Sequence, residues 1–382
     1  MKKISLFIIT LLAGLCSHAQ QAIFRGNSVV SPEIHADNTV TFRVRAPKAI
    51  TVQVSGDFLA NRVADLTEKD GVWEYTTPEP VAPEMYTYNF IIDGQRTLDM
   101  NNVAVNRDVA TLTNILLVGG GRSDLYKVQN VPHGTVSRIW YHSDAAGFNR
   151  RLTVYTPAGY ETSGKRYPVF YLLHGIGGDE EAWITQGRTA QILDNLIAQG
   201  KAEPMIVVMT NGNISQEAAP GENSTGYDIP TMSLPQTMEG SFETAFPEIV
   251  KFIDKTYRTQ AQKRSRAIAG LSMGGFHSKF ISQNNPDMFN YIGLFSAAIG
   301  VSDATSPIYQ DNDQKLATLF SKKPALYWIG IGNSDFLYAN NKEYRQYLDE
   351  HGYKYTYMET DGGHIWRNWR IYLTEFVPLL FK

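Results

Sequence analysis

Cysteine is almost absent: Cys16 stands alone in 382 residues, so no intrachain disulfide can staple the fold and thiol chemistry has one candidate at most. That residue falls in an N-terminal segment, Met1-Lys2-Lys3, an apolar run from Ile4 to Leu15, then Ser17-His18-Ala19. The pattern predicts a secretory peptide cut after Ala19. A lipoprotein anchor at Cys16 is the rival, but Leu15 stands where such signals take a small side chain. The run is also too short to span a bilayer. On the cleavage reading the protein is exported, periplasmic or secreted, and its mature form carries no thiol. Excess charge is lacking too. The formal net charge is -3, and losing Lys2 and Lys3 takes it to -5. Mild acidity without basic clusters argues against nucleic-acid or anionic-membrane partners. No Cys/His cluster and no H-E-x-x-H spacing occurs, so neither a metal nor a cofactor is expected.

What the chain does have is hydrophobic content, 43%, enough for one large core and a small one. From Val40 to Leu117 the pattern is short alternating strands: Thr39 to Arg45, Thr51 to Val54, Val72 to Tyr75 and Tyr86 to Phe90, with Asp93-Gly94 as a hairpin turn. Such spacing predicts a small all-β, immunoglobulin-like sandwich over 20–118. The triplet Gly119-Gly120-Gly121 opens a linker, 119–130. Beyond it, 131–382 alternates strands and helices. Ser137 to Tyr141 and Arg151 to Tyr155 open as an antiparallel pair. Strands follow at Val169 to Leu173, Met205 to Met209, Ala267 to Ala269, Tyr291 to Phe295 and Ala325 to Ile331, with helices at Thr189 to Ala198 and Phe242 to Tyr257. This alternation predicts a mainly parallel sheet with helices on both faces. The aperiodic stretch 211–240, rich in Gly, Pro, Asn and Ser, reads as a substrate-side flap, since long loops in compact domains are usually functional.

The run Gly270-Leu271-Ser272-Met273-Gly274-Gly275 follows the strand Ala267 to Ala269 and precedes helical sequence. G-x-S-x-G alone is weak; between strand and helix it has the context of a nucleophile elbow. A serine hydroxyl needs a histidine base, an acid to orient that base, and donors for the oxyanion. In the α/β-hydrolase arrangement the order is Ser, Asp or Glu, His. The last histidine, His364, lies in the glycine-bearing loop Asp361-Gly362-Gly363-His364. Asp335 follows the buried strand Ala325 to Gly332 at its carboxyl end, where functional groups of parallel sheets gather; Glu359 and Asp361 are the alternatives. Of the other histidines, His277 and His351 read as packing or surface residues, and His174 as a loop brace. For the oxyanion, the N–H of Met273 and that of Ile176 in His174-Gly175-Ile176-Gly177-Gly178 are the candidates, Gly177 standing in for Ile176.

Together, Tyr167-Pro168-Val169-Phe170-Tyr171-Leu172-Leu173-His174-Gly175, Asp194-Asn195-Leu196-Ile197, the serine motif and Gly362-Gly363-His364-Ile365-Trp366 resemble carbohydrate esterase family 1. That group holds feruloyl and acetyl xylan esterases and is related to enterochelin esterases. The resemblance spans about 131–381. It implies an α/β-hydrolase fold, a Ser272, Asp335, His364 triad, the acid matching Gly332-Asn333-Ser334-Asp335, and hydrolysis of feruloylated or acetylated polysaccharide. Trp183, Tyr227, Phe336, Trp366 and Trp369 lie in or near the catalytic loops, where rings hold a planar phenolic acid; each is also able simply to pack the interior. The implied activity is feruloyl esterase on arabinoxylan. Acetyl xylan esterase, siderophore esterase and acyltransferase remain open beside it, as does a non-catalytic carbohydrate-binding protein. The front region, with Thr41 to Pro47, Gly71-Val72-Trp73 and Tyr86 to Phe90, resembles a family 48 carbohydrate-binding module; Trp73 and Tyr88 either meet sugar or fill its core.

Overall fold

The computed structural model describes residues 29–226, 229–300 and 306–382. The expected secretory peptide and Tyr227 lie outside these residues. The chain divides into two compact units, Met1–Ala82 with Tyr88–Val103, and Pro83–Thr87 with Ala104–Lys382.

The first unit is all-β. Its strands are β1 (Glu33–Ile34), β2 (Val40–Arg45), β3 (Val52–Gly56), β4 (Val63–Asp65), β5 (Thr67–Lys69), β6 (Val72–Thr76), most of β7 (Glu84–Ile92) and β8 (Gln95–Thr97). One sheet runs β1-β2-β6-β5; the other contains β4-β3-β7 with β8 on β7. The inward residues of the alternating strands, among them Phe42, Val52, Val54 and Phe90, are fully buried. Tyr88 belongs to this core, its ring edge-on to Phe42 at 4.9 Å and its hydroxyl donating to Asp99 Oδ2 at 2.8 Å. The ring proposed as a possible sugar platform is thus an interior residue.

The second unit opens with the hairpin β9 (Val105–Asp108) and β10 (Thr111–Val118). Its main sheet has eight strands: β11 (Thr135–Ser143), β12 (Phe148–Thr156), β13 (Val169–Leu173), β14 (Ile206–Thr210), β15 (Arg266–Leu271), β16 (Tyr291–Phe295), β17 (Leu326–Gly332) and β18 (Thr356–Thr360), in the order β11-β12-β14-β13-β15-β16-β17-β18. The first two joins are antiparallel and the rest parallel. Side chains of β13 alternate between two cores: Val169, Tyr171 and Leu173 enter one, Phe170 and Leu172 the other. That is why the strand reads as continuously apolar. Helices α1 (Ala182–Thr185), α2 (Thr189–Ala198) and α7 (Trp366–Phe376) cover one face; α3 (Ser241–Thr256), α4 (Met273–Asn284), α5 (Asn312–Ser321) and α6 (Tyr338–Glu350) cover the other.

Within the expected linker 119–130, Gly121–Tyr126 is a 3-10 turn whose Tyr126 ring is buried in the α2 core. Asn195 Nδ2 donates to the carbonyls of Leu125 and Lys127, and Arg188 Nε to that of Tyr126. The hairpin of β9 and β10, which the sequence groups with the sandwich, falls in the second compact unit. The stretch 211–240 begins as a buried strap. Arg150, itself buried, donates to the carbonyls of Asn211, Asn213 and Gln216.

Candidate active site

Ser272 ends β15 and begins α4 with φ 53 and ψ -117, a backbone conformation that non-glycine residues rarely hold unless the surroundings enforce it. They do. Its N–H donates to Phe295 O at 2.8 Å, and its carbonyl accepts from Phe276 N and Ala298 N, each at 3.0 Å. The neighbouring glycines are dictated by close approach: a Cβ on Gly274 would come within 3.0 Å of the Leu173 and His174 carbonyl oxygens. A Cβ on Gly175 would lie 3.2 Å from Ser272 Cβ, so the loop after β13 rests directly against the serine.

Asp335 and His364 follow β17 and β18, adjacent strands of the same carboxyl edge. His364 Nδ1 lies 2.9 Å from Asp335 Oδ2 and 3.1 Å from Oδ1. Asp335 Oδ1 also accepts from Leu337 N at 2.9 Å. Burial pushes the Asp335 carboxyl up, but the hydrogen bonds from His364 and Leu337 and the neighbouring imidazole outweigh it and hold the group below its ordinary value. The carboxylate therefore stays ionised and fixes the ring with Nε2 outward as acceptor. Glu359 instead accepts from the hydroxyls of Tyr338 and Tyr357 at an exposed position, which leaves Asp335 as the histidine's partner. Among the described residues no hydrogen bond runs from the Ser272 hydroxyl to the imidazole. Catalytic contacts of this kind commonly tighten only with substrate bound.

The two expected oxyanion donors have amides unpaired among the described residues. Met273 is the first residue of α4, so its N–H has no partner four residues back. Ile176 heads the turn closed by Gly178 N to Gly175 O at 3.1 Å, and its own N–H has no acceptor among the described residues. The turn is held from below by two groups. His174 Nδ1–H donates to Gly175 O at 2.6 Å while Nε2 accepts from Gly212 N at 2.8 Å. Asn213 Nδ2 donates to Gly178 O at 2.9 Å. Sequence reasoning missed Asn213; its place just after β14, at the carboxyl end of a parallel strand, is the signal that points to it.

The expected substrate rings part company. Trp183 is 1% exposed, its Nε1 donating to Leu173 O at 2.8 Å; it packs the core. Trp369, 6% exposed, sets its ring edge-on to His364 at 4.9 Å, so it positions the imidazole. Trp366 is half-buried between those two rings. Phe336 is 74% exposed, with its ring 4.6 Å from His364. It alone of the four described rings presents an open face. His277 is buried, bonded to Glu243, which also accepts from Tyr309, and is interior packing as expected.

Residues 143–380 match the Esterase family. The chain belongs to that family. An endo-1,4-beta-xylanase/feruloyl esterase of Xylanibacter ruminicola is 31% identical over 92% of this chain and 46% of its own length. The chain spans about half the length of the curated relatives it matches. A solved ferulic acid esterase is 28% identical, with TM-score 0.52 over 64% of this esterase-family chain and 97% of its own. The enterobactin esterase of Shigella flexneri, 17% identical with TM-score 0.61 over 89% of this chain and 92% of its own, shares the fold. These likenesses place the second unit as an α/β-hydrolase core of the carbohydrate esterase family 1 type, preceded by a separate all-β domain.

Proposed function

We propose that the chain is a serine carboxylic ester hydrolase that releases hydroxycinnamic acids, ferulate above all, from plant cell-wall polysaccharide such as arabinoxylan. The carrying observation is the strained Ser272 turn sharing one sheet edge with the Asp335–His364 pair. In this reading Ser272 Oγ attacks the ester carbonyl as His364 Nε2 takes its proton, and the Met273 and Ile176 amides receive the oxyanion. The tetrahedral adduct expels the sugar alkoxide, which His364 protonates. Water, deprotonated by the same imidazole, then attacks the acyl-enzyme, frees the acid and restores the serine. Asp335 holds the ring and stabilises its cation. The exposed Phe336 ring beside His364 offers an apolar face to an aromatic acyl group, and the name of the Xylanibacter relative supports the same substrate class.

The burial of Trp183 and Trp369 leaves fewer rings than expected for a phenolic acid, which favours acetyl xylan esterase as second reading. The all-β domain fits a family 48-like module with an orienting role, and the N-terminal pattern fits export. The test is turnover of methyl ferulate, acetylated xylan and a catecholate ester by parent and Ser272→Ala chains. Methyl ferulate is expected to react fastest, and the variant to lose about four to six powers of ten in kcat. Undiminished hydrolysis by Ser272→Ala would refute the serine mechanism; a wide preference for acetyl groups would replace the acyl assignment.

A further inference from the structure

Beside the oxyanion turn, and wholly within the second unit, lies a cleft of about 550 Å³ between the β9–β10 hairpin and the segment running from Gly178 into α1. Six of its lining side chains are charged: Arg107, Arg138 and Arg151 against Asp179, Glu181 and Glu222. Three positive and three negative groups leave the lining neutral in sum, and none of its lining residues is aromatic. We propose that this cleft binds the carbohydrate portion of the substrate as a neutral oligosaccharide. The proposal rests on the ester-hydrolase reading above and adds to it where the leaving-group sugar chain lies.

Position is the first support. Gly175 abuts Ser272, and Gly178, three residues on, already lines the cleft. The turn that joins them keeps the two Cα atoms within about 7 Å. A Cβ on Gly177 would lie 2.7 Å from Val109 Cγ2, so the hairpin tip touches the same turn. Val109 is a β-branched residue at φ 52, a conformation such residues avoid unless held. Arg107 holds it, donating through Nη1 to Val109 O at 3.0 Å and through Nη2 to the buried Asp179. The cleft and the serine therefore share one wall.

Chemistry is the second. A sugar without charge offers hydroxyl groups that both donate and accept, and guanidinium beside carboxylate matches that pattern. Here the groups are already aligned. Arg138 grips Glu181 through Nε and Nη2, both at 2.7 Å, and Arg151, 4% exposed, joins the buried Glu180 and the rim residue Glu222 at 2.7 and 2.8 Å. Arg138 and Glu222 remain 51% and 60% exposed, polar heads on a rigid base, which lowers the ordering cost of binding. A volume within the usual range for ligand sites accommodates a short oligosaccharide.

The test compares methyl ferulate, which carries the acyl group alone, with a feruloylated arabinoxylo-oligosaccharide, on the full chain. Thr185, an exposed lining residue at the end of α1, is changed to Trp to fill the cleft without removing an ion pair; Arg138→Ala is the second variant. Each is expected to lower kcat/KM for the oligosaccharide ester at least about tenfold, through KM, with methyl ferulate within about twofold of the parent. Equal effects on both esters, or none on either, would overturn the proposal. Calorimetric titration of unesterified arabinoxylo-oligosaccharide into Ser272→Ala chains reads the cleft independently of turnover. Binding lost on adding Thr185→Trp supports the cleft; binding unaffected by it, or absent from the start, overturns it. A parent chain that binds this sugar through Thr185 and Arg138 yet ignores methyl ferulate would sink the acyl assignment and leave the cleft standing.

Discussion

His174 lies fully buried under the oxyanion turn with both ring nitrogens engaged, so protonating it would break the bond from Gly212 N–H. Burial pushes its imidazole down to about 4 from an ordinary 6.5. Above pH 6.5 both folded and unfolded chains hold it neutral. Below that, the unfolded chain takes up a proton that the folded chain refuses until about pH 4, so stability falls across this window by up to roughly 3 kcal/mol. Urea midpoints measured from pH 6.5 to 4 should show a shallower decline in His174→Gln than in the parent; parallel curves would mean another group carries the acid sensitivity. Single residues were unevenly legible. The choice of Asp335 over Asp361 and Glu359 followed from strand order, and geometry joins Asp335 to His364. Trp183 and Trp369 were not separable from Phe336, because a tryptophan next to a catalytic motif does not announce which way its ring turns.

Elements meet tightly where α4 leaves the elbow. Gly274 faces the carbonyl oxygens of Leu173 and His174, backbone atoms of β13 and the turn after it that cannot rotate away. Gly274→Ala should therefore force the elbow from that strand end. A loss of about 1–3 kcal/mol is expected from overpacking, with esterase turnover falling further than stability because the oxyanion turn shifts as well. Chemical denaturation and kcat on methyl ferulate check the two together. An alanine variant with parent stability and rate would show that the contact relaxes without cost. Regular elements were well marked in the sequence. Tyr291–Phe295 and Thr189–Ala198 sit where expected, since a five-residue apolar run and a ten-residue helical period are local signals. The buried start of the 211–240 stretch, a strap over Asn211, Asn213 and Gln216, and the Gly121–Tyr126 turn were not. Their glycines permit a loose chain, and what fixes them is distant in sequence: Arg150 for the strap, Arg188 and Asn195 for the turn.

At the scale of the whole molecule, the two-part plan was visible as a change of periodicity near residue 119, whereas the compact units divide near residue 104. Alternating strands look alike whichever compact unit they join, so β9 and β10 were counted with the sandwich. In the contact division they fall in the second unit, as does the short segment Pro83–Thr87, whose Glu84 accepts from Arg370 of α7 at 3.0 Å. A chain starting at residue 131, the boundary that the sequence suggests, would lose the hairpin and uncover the site of Tyr126. It would also strip Arg188 and Asn195 of three backbone acceptors. Against a chain starting at residue 104, it should be less stable by about 5 kcal/mol, from one buried aromatic ring and three hydrogen bonds. Both chains lack Glu84 equally, so the difference in urea midpoint isolates residues 104–130. Matching midpoints would mean that the hairpin and the turn merely rest on a core that is complete without them.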